Sequence, residues 1–185
     1  GPFPVAVDHR GRVWAGSNGE GLLLLESLQA PERPRRLTER DGLAGELIRE
    51  LREDRDGNLW VGTQAGLTRI TEASVTTARA RAGVSAENVT RLAATGDGAV
   101  WVQTPNGLVR FSAQGPRLFD RSEAAPLTGI SALHAGPTGS LWMGQLDGTL
   151  LQYANDRLRL VRWPSGLQPT SIVGITSDAR GRVWV

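Results

Sequence analysis

The sequence predicts an all-β fold made of repeated units, and three observations support this prediction. Tryptophan recurs at intervals of 41 to 46 residues. A glycine lies three residues before each of these tryptophans, and an aliphatic residue lies directly before it. The chain also holds 23 Gly and 10 Pro, which suits a fold rich in turns. A fixed period near 42 residues is typical of repeat architectures. The repeated tryptophans are Trp14, Trp60, Trp101, Trp142 and Trp184.

The first strand of each unit is predicted upstream of its tryptophan, where aliphatic residues stand twelve and nine positions before it. Short segments rich in β-branched residues are typical of buried strands. A helix is the competing interpretation for residues 46–55, but the aligned segments of the other units are not helix-like, and the repeat register favours a strand. The aliphatic pairs are Ile48 and Leu51, Val89 and Leu92, Ile130 and Leu133, and Ile172 and Ile175, with Val5 alone in the first unit.

The remaining strands follow from the turn residues. Pairs such as Asp56-Gly57 and Asp97-Gly98 supply the positive φ of a tight hairpin, and the second strand then carries the tryptophan. A second glycine turn leads to a third strand at 66–70, 107–111 and 148–153, and more loosely at 21–25. A weaker fourth strand is predicted at 35–38, 75–79, 117–119 and 158–162.

Four antiparallel strands in each unit of about 42 residues are the plan of a β-propeller blade. We therefore predict a β-propeller segment of about four and a half four-stranded antiparallel blades. The blades lie at approximately 3–41, 46–83, 88–122 and 129–164, with an incomplete blade at 171–185. Both ends supply the same two strands of a blade, so we expect other blades or a second protomer to complete the ring, because open edges and apolar faces favour association.

Charge and composition exclude several classes of function. The net charge is only +2, and all 21 basic residues are Arg, interspersed with 19 acidic residues. The pI of 10.2 reflects the high pKa of Arg and does not indicate a nucleic-acid partner. The absence of Cys excludes disulfides and thiolate chemistry. No apolar run reaches the length of a membrane span, so a membrane is expected only through parts of a parent protein.

The segments 41–48 and 53–70 closely resemble the two-component regulator propeller repeat. The resemblance is good around Trp101, degenerate around Trp142, where Pro137-Thr138 replaces the acidic turn, and recognisable at both ends. It implies the periplasmic sensor region of a membrane-anchored bacterial receptor whose output is a histidine kinase or a diguanylate cyclase. Neither output module is in this sequence, so the resemblance implies a non-catalytic input region.

Candidate catalytic groups are sparse, and we predict no catalytic residue, no cofactor and no metal. Asp54–Asn58 resembles part of a calcium loop, but it lacks the downstream Glu and also suits an ordinary turn. His9 falls in a turn. His134 falls on a first strand, and such strands line a propeller's channel. We see no paired nucleophile or carboxylate near His134, which favours a structural role for it.

A small molecule or glycan is the predicted ligand, held by loops at the mouth of the channel. The predicted ligand-binding residues are Glu46, Arg49, Asn88, Arg91 and His134, and the turn residues Gln64, Asn106 and Asp147 lie on the same face. Two alternatives stay open: a propeller lyase resembling virginiamycin B lyase, and a protein-interaction scaffold. The off-register Trp163 is expected to pack on the next blade or to stack on a sugar.

Overall fold

The computed structural model describes residues 3–27, 34–78, 86–119, 127, 129–136, 139–167, 169–178 and 180–185. In these ranges the chain forms four four-stranded antiparallel sheets and one two-stranded sheet. Within every sheet the strands lie side by side in chain order. The prediction of an all-β fold built from four-stranded units is therefore confirmed.

Each sheet corresponds to one blade. Blade 1 holds β1–β4 and blade 2 holds β5–β8, with a 3₁₀ turn at Glu39–Asp41 between them. Blade 3 holds β9–β12, blade 4 holds β13–β16, and blade 5 holds β17 and β18. The strands are Val5–Val7, Val13–Gly16, Leu22–Leu25 and Arg35–Leu37; Ile48–Glu53, Leu59–Thr63, Leu67–Ile70 and Val75–Thr77; Arg91–Ala94, Val100–Thr104, Gly107–Ser112 and Gly115–Phe119; Ile130–Ala135, Leu141–Gln145, Leu150–Ala154 and Arg157–Val161; and Thr176–Ser177 and Val183–Trp184.

The structure resolves the ambiguity between helix and strand at 46–55. This segment contains β5, which pairs with β6, so the strand predicted from the repeat register is confirmed and tertiary context outweighs local helix propensity. Two first strands start later than predicted: β9 begins two residues after Val89, and β17 begins after Ile175. The fourth strand predicted at 75–79 ends at Thr77, and residue 79 lies outside the described ranges. The blade intervals themselves stay a prediction.

The first strands form the inner wall of the propeller. Strand β1 contacts β5, β5 contacts β9, and β9 contacts β13, while the other strands of each blade follow outward in order. Because side chains alternate along a strand, each first strand sends one row of side chains toward the preceding blade and the other toward the following blade. Polar side chains of both rows can border the channel.

The tryptophans pack between neighbouring blades. Trp14 belongs to a cluster with Ile48 and Leu51 of blade 2, and Trp101 belongs to a cluster with Leu141 of blade 4. Trp60 packs with residues of blade 3, and Trp142 is half-buried against blade 5. Trp184 is 55% exposed. The structural role predicted for the repeated tryptophans therefore holds for the first four and is not shown for the last.

Close approach between blades requires glycine two residues after most of the tryptophans. A Cβ on Gly16 would lie 2.7 Å from Cβ of Ile48 on the next blade, which is closer than real Cβ contacts allow. Gly62 and Gly144 meet the next blade in the same way. Blade 3 has Gln103 at this position, and its Nε2 donates to the carbonyl of Ile130 at 3.0 Å.

The glycine three residues before Trp60 has two roles. Gly57 has φ +78°, the left-handed conformation that its hairpin requires. A Cβ on Gly57 would also lie 2.7 Å from Cε1 of His9, so the turn packs directly on the preceding blade. His9 is half-exposed, and its Nδ1 lies 2.5 Å from Oε1 of Glu53, which ties blade 1 to blade 2.

Trp163 packs against the cluster of Leu150 and Ile172, and its indole nitrogen donates to the carbonyl of Gly148 at 3.0 Å. Because Ile172 leads into blade 5, this contact agrees with packing on the next unit. Stacking on a sugar is therefore not needed to explain the residue.

Both ends of the row of blades carry exposed apolar side chains. On blade 1, Val5 and Val7 are each 63% exposed and Phe3 is 58% exposed. Val5 lies nine residues before Trp14, and the matching Leu51 and Leu92 are buried against the preceding blade. At the other end Val173 is 77% exposed. Blade 1 thus presents, uncovered, the surface that the inner blades bury.

Candidate functional site

The inner wall carries a group of charged and polar side chains at two repeated positions of the first strands. Ten residues before the tryptophans stand Glu50 and Arg91, and eight residues before them stand Arg52 and His134. The row faces the following blade, because Arg91 Nε donates to the carbonyl of Ser131 in blade 4 at 2.8 Å. These four side chains are the candidate functional site, and we call them the inner-wall cluster.

Glu50 and Arg52 are two positions apart on β5 and form a loose ion pair. Arg52 Nη2 lies 3.6 Å from Glu50 Oε1, too far for a direct hydrogen bond. The side chains are 29% and 48% exposed, so both are accessible from the channel. Burial raises the pKa of Glu50, and the positive charges of Arg52 and Arg91 oppose that rise only in part.

His134 lies on β13 and is half-buried. Its Nε2 is 2.9 Å from the hydroxyl oxygen of Ser177 on β17. Burial lowers the pKa of His134, and the positive charge of Arg52 lowers that pKa further. The sequence prediction that no nucleophile lies near His134 is wrong, because blade stacking brings Ser177 to it from 43 residues away.

Arg91 serves as a link between two blades. Besides its bond to Ser131, its Nη1 donates to the carbonyl of Thr90 at 3.3 Å. Ser131 in turn donates from its hydroxyl to the carbonyl oxygen of Ile172 on the far side of blade 4. The guanidinium of Arg91 is thus held in one place at the wall, and its charge contributes to the inner-wall cluster.

The other predicted ligand residues lie on the face of the linking loops. The amide of Gly21 donates to the carbonyl of Glu46 at 3.1 Å, and the amide of Asn88 donates to the carbonyl of Gln64 at 2.8 Å. Arg49 is exposed at a bulge in β5. Linking loops therefore meet the turns between second and third strands, as expected. Among the described residues, no hydrogen bond or ion pair joins Glu46, Arg49 or Asn88 to His134.

The turn residues Asn106 and Asp147 are exposed and have local roles. The amide of Asn106 donates to the hydroxyl of Thr104, and the carboxylate of Asp147 accepts from the amide of Thr149 at 2.9 Å. Hydrogen bonds from Thr149 lower the pKa of Asp147. These contacts shape hairpins, and ligand contact by either residue stays a prediction.

The sequence missed Glu50, Arg52 and Ser177 as site residues. A signal for two of them was present, because Arg52 occupies the same repeat position as His134, and Glu50 the same position as Arg91. Ser177 could not be found in this way. It lies seven residues before Trp184, and its approach to His134 depends on the placement of blade 5.

Two of the hollows in the described part of the chain adjoin blades 1 and 2. A groove of about 520 Å³ lies between β1 and β5 and is bordered by Glu50 and Arg52. A second hollow of about 260 Å³ lies between blades 1 and 2 beside Asp8 and Arg12. In the second hollow Asp8 already accepts bonds from Trp14 and Arg12. In the groove between β1 and β5, Glu50 and Arg52 make only a 3.6 Å contact with each other, so of these two hollows the groove is the better ligand site.

The calcium-loop interpretation of Asp54–Asn58 is not supported. Asp54 accepts from the amides of Asp56 and Asn58 and from the indole of Trp60, as a turn residue does. Within the described ranges, no group of three or more His, Asp or Glu could hold a metal ion.

The sheets and the inner-wall cluster define a β-propeller protein. Residues 42–65 match the family model of the two component regulator propeller. This segment therefore carries the two-component regulator propeller repeat, as the sequence resemblance indicated. The comparison with curated proteins gives no match.

Solved propellers share the fold. Streptogramin B lyase matches with a TM-score of 0.72 and 19% identity over 100% of this chain and 61% of its own. Virginiamycin B lyase from Staphylococcus aureus matches with a TM-score of 0.74 and 17% identity over 100% and 62%. The extracellular domain of a hybrid two component system from B. thetaiotaomicron matches with a TM-score of 0.73 and 21% identity over 97% and 25%.

These similarities establish the fold and nothing finer, since every identity is low. The chain spans less than two thirds of the length of each of these structures. In the part of the chain that the structure describes, no helix is long and apolar enough to cross a membrane.

Proposed function

We propose that this chain is a non-catalytic, ligand-sensing part of the extracytoplasmic input region of a bacterial two-component-type receptor. The observation that carries the proposal is the regulator propeller repeat at residues 42–65. The fold shared with extracellular domains of two component systems supports it. The ligand is a small molecule or a glycan, and the location is the periplasm.

The inner wall supplies a physical basis for ligand binding. In a scaffold built from repeats each inner blade is held by the blades on both sides of it. Arg91 and His134 are held by partners on the following blades, and Arg52 borders the groove beside β1. A ligand that bridges blades through such groups stabilises one arrangement of the receptor over another, which is the requirement for a signal.

Thermal stabilisation by a library of glycans and small metabolites tests ligand binding. A ligand at about 100 times its Kd stabilises a protein by about 2.7 kcal/mol, which gives a clear rise in Tm. We expect at least one class of compound to raise the Tm of the unaltered protein. The same compound should raise the Tm of the Arg91→Gln variant by less. Arg157→Gln makes the same charge change on the outer strand β16 and should leave the rise intact. A rise unaffected by every inner-wall substitution would exclude this site.

Location is tested separately. We expect protease added to spheroplasts of its host to digest this region of the native protein, because the region would lie outside the cytoplasmic membrane. Protection equal to that of a cytoplasmic marker would contradict the proposal.

The exposed face of blade 1 supports a further part of the proposal, namely that other blades or a second protomer cover it. Val5 occupies the position at which Leu51 and Leu92 of the inner blades are buried, and Val7 is exposed two residues further along the same strand. Light scattering should show self-association of the isolated chain that Val7→Glu abolishes. A monodisperse monomer that unfolds cooperatively would contradict coverage by a second protomer.

A second candidate is a lyase, favoured by the contact between His134 and Ser177 and by the fold shared with streptogramin B lyase. A histidine of lowered pKa is neutral at pH 7 and can accept a proton. The test is incubation with virginiamycin B, followed by mass spectrometry. Conversion that disappears in His134→Ala would overturn the non-catalytic proposal.

A further inference from the structure

We propose that the inner-wall cluster binds the anionic group of a small molecule, a carboxylate or a phosphate, between Arg52 and His134. This inference rests on the proposed ligand-binding function and names its chemical class. The hydroxyl of Ser177, which lies 2.9 Å from His134 Nε2, is a further hydrogen-bond donor at the same place.

Arg52 and His134 stand on the first strands of blades 2 and 4, with β9 of blade 3 between these strands. We call the space between the two side chains the gap. Both stand eight residues before a tryptophan, Arg52 in blade 2 and His134 in blade 4. The residue at the same position in blade 3 is Ala93, which is 3% exposed and has no side chain beyond Cβ. Because Ala93 has no side chain beyond Cβ and is buried, β9 sends no long side chain from this position between the guanidinium and the imidazole.

The charges at the gap lack a full counter-ion. Arg52 pairs with Glu50 only at 3.6 Å and is 48% exposed, so its guanidinium has free donors toward the channel. Arg91 adds a third basic group on β9. Among the described residues, Glu50 is the acidic residue that pairs with Arg52. Burial raises the pKa of Glu50 and so favours its neutral form.

An anion in the gap would change the protonation of His134. The groups that face His134 are Ser177 on β17 and the positive charge of Arg52 on β5, with Glu50 and Arg91 further along the inner wall. Arg52 disfavours a second positive charge, and a bound anion offsets this repulsion. Anion binding and proton uptake by His134 therefore strengthen each other, and affinity rises as the pH falls.

The experiment uses the two histidines of the chain as probes. Acetate and inorganic phosphate are titrated separately at constant ionic strength with sodium chloride, while the imidazole C2–H resonances are followed by NMR. We expect a saturable shift and a raised pKa for His134 with at least one anion. The His9 resonance, from the outer turn, serves as the internal reference for general salt effects. The two titrations distinguish a carboxylate site from a phosphate site.

Substitutions make the test specific. Arg52→Gln should lower the affinity for the anion roughly tenfold or more, since it removes a charge-assisted contact. Glu50→Gln should raise the affinity for the anion, because the carboxylate of Glu50 competes with the anion for Arg52. Arg157→Gln removes the same charge from β16 and should have no effect. The proposal is overturned if neither anion shifts His134 saturably, or if Arg52→Gln and Arg157→Gln behave alike.

Failure of this inference differs from failure of the proposed function. A neutral compound that raises Tm with equal affinity for the unaltered protein and for Arg52→Gln would overturn the anion site and leave ligand sensing in place. A protein that responds to no anion and to no compound of the library would contradict both.

Discussion

The indole nitrogen of Trp60 donates a hydrogen bond of 2.7 Å to Oδ2 of Asp54, six residues earlier in the chain. Trp14 and Asp8 make the same bond at 2.9 Å. In blade 3 the position six before the tryptophan is Thr95, and Trp101 Nε1 is buried with no hydrogen-bond partner among the described residues. The bond links the hairpin turn to the tryptophan that packs between blades.

Asp54→Ala should destabilise the protein by about 1 to 3 kcal/mol, because it leaves the indole N–H of Trp60 and the turn amides without an acceptor. Chemical unfolding in urea measures the change. The control is Asp56→Ala in the same turn, where the side chain is 64% exposed. An equal loss of stability in both variants would show that the bond to Trp60 contributes nothing.

Low pH should decrease the folding stability of the protein, in part because Asp54 becomes protonated. Burial would raise the pKa of Asp54, but hydrogen bonds from Trp60 and Asn58 outweigh it and hold that pKa below the ordinary value of 3.8. A carboxyl with a lowered folded pKa stabilises above its unfolded pKa, and this contribution is lost as the pH falls through the folded pKa. Stability below about pH 4 should therefore fall more steeply for the unaltered protein than for Asp54→Asn. Parallel curves of Tm against pH for the two proteins would contradict this.

His134 should give a second pH dependence, at higher pH. Burial and Arg52 lower its folded pKa below the ordinary value of 6.5. As the pH falls below 6.5 the unfolded chain takes up a proton before the folded chain does, so stability decreases. Between pH 7.5 and pH 5, His134→Gln should lose less stability than the unaltered protein. Arg52→Gln should show an intermediate loss, and a loss unchanged in both variants would mean that His134 does not titrate in this way.

Gly62→Ala should destabilise the protein by about 1 to 3 kcal/mol, because an added Cβ would collide with Val89 of the next blade and push the blades apart. Gly174→Ala is the matched control, since an added Cβ there meets no atom within 4 Å. Differential scanning calorimetry compares the two. A small effect at Gly62 would show that the blades can separate without cost.

Much of the fold could be predicted from the sequence because its causes are local and repeated. The hairpin glycines, the aliphatic residue before each tryptophan and the period near 42 residues together indicate four-stranded units. Comparison among the units also corrected the helical preference of residues 46–55, where β5 forms. Strand ends were less certain, as β9 and β17 show, because hydrogen bonding at a strand end depends on neighbouring segments.

By itself the sequence determined the repeat, the strands within a blade and the candidacy of Arg91 and His134. Only the tertiary structure decided which blade faces meet and which polar groups become neighbours. His134 meets Ser177 across 43 residues, and the charge of Arg52 acts on His134 from two blades away. The physical reason is that pairing within a blade follows from short turns, whereas contacts across the inner wall follow from how whole sheets stack. That stacking depends on side-chain volume at close approaches such as Gly62 and Val89.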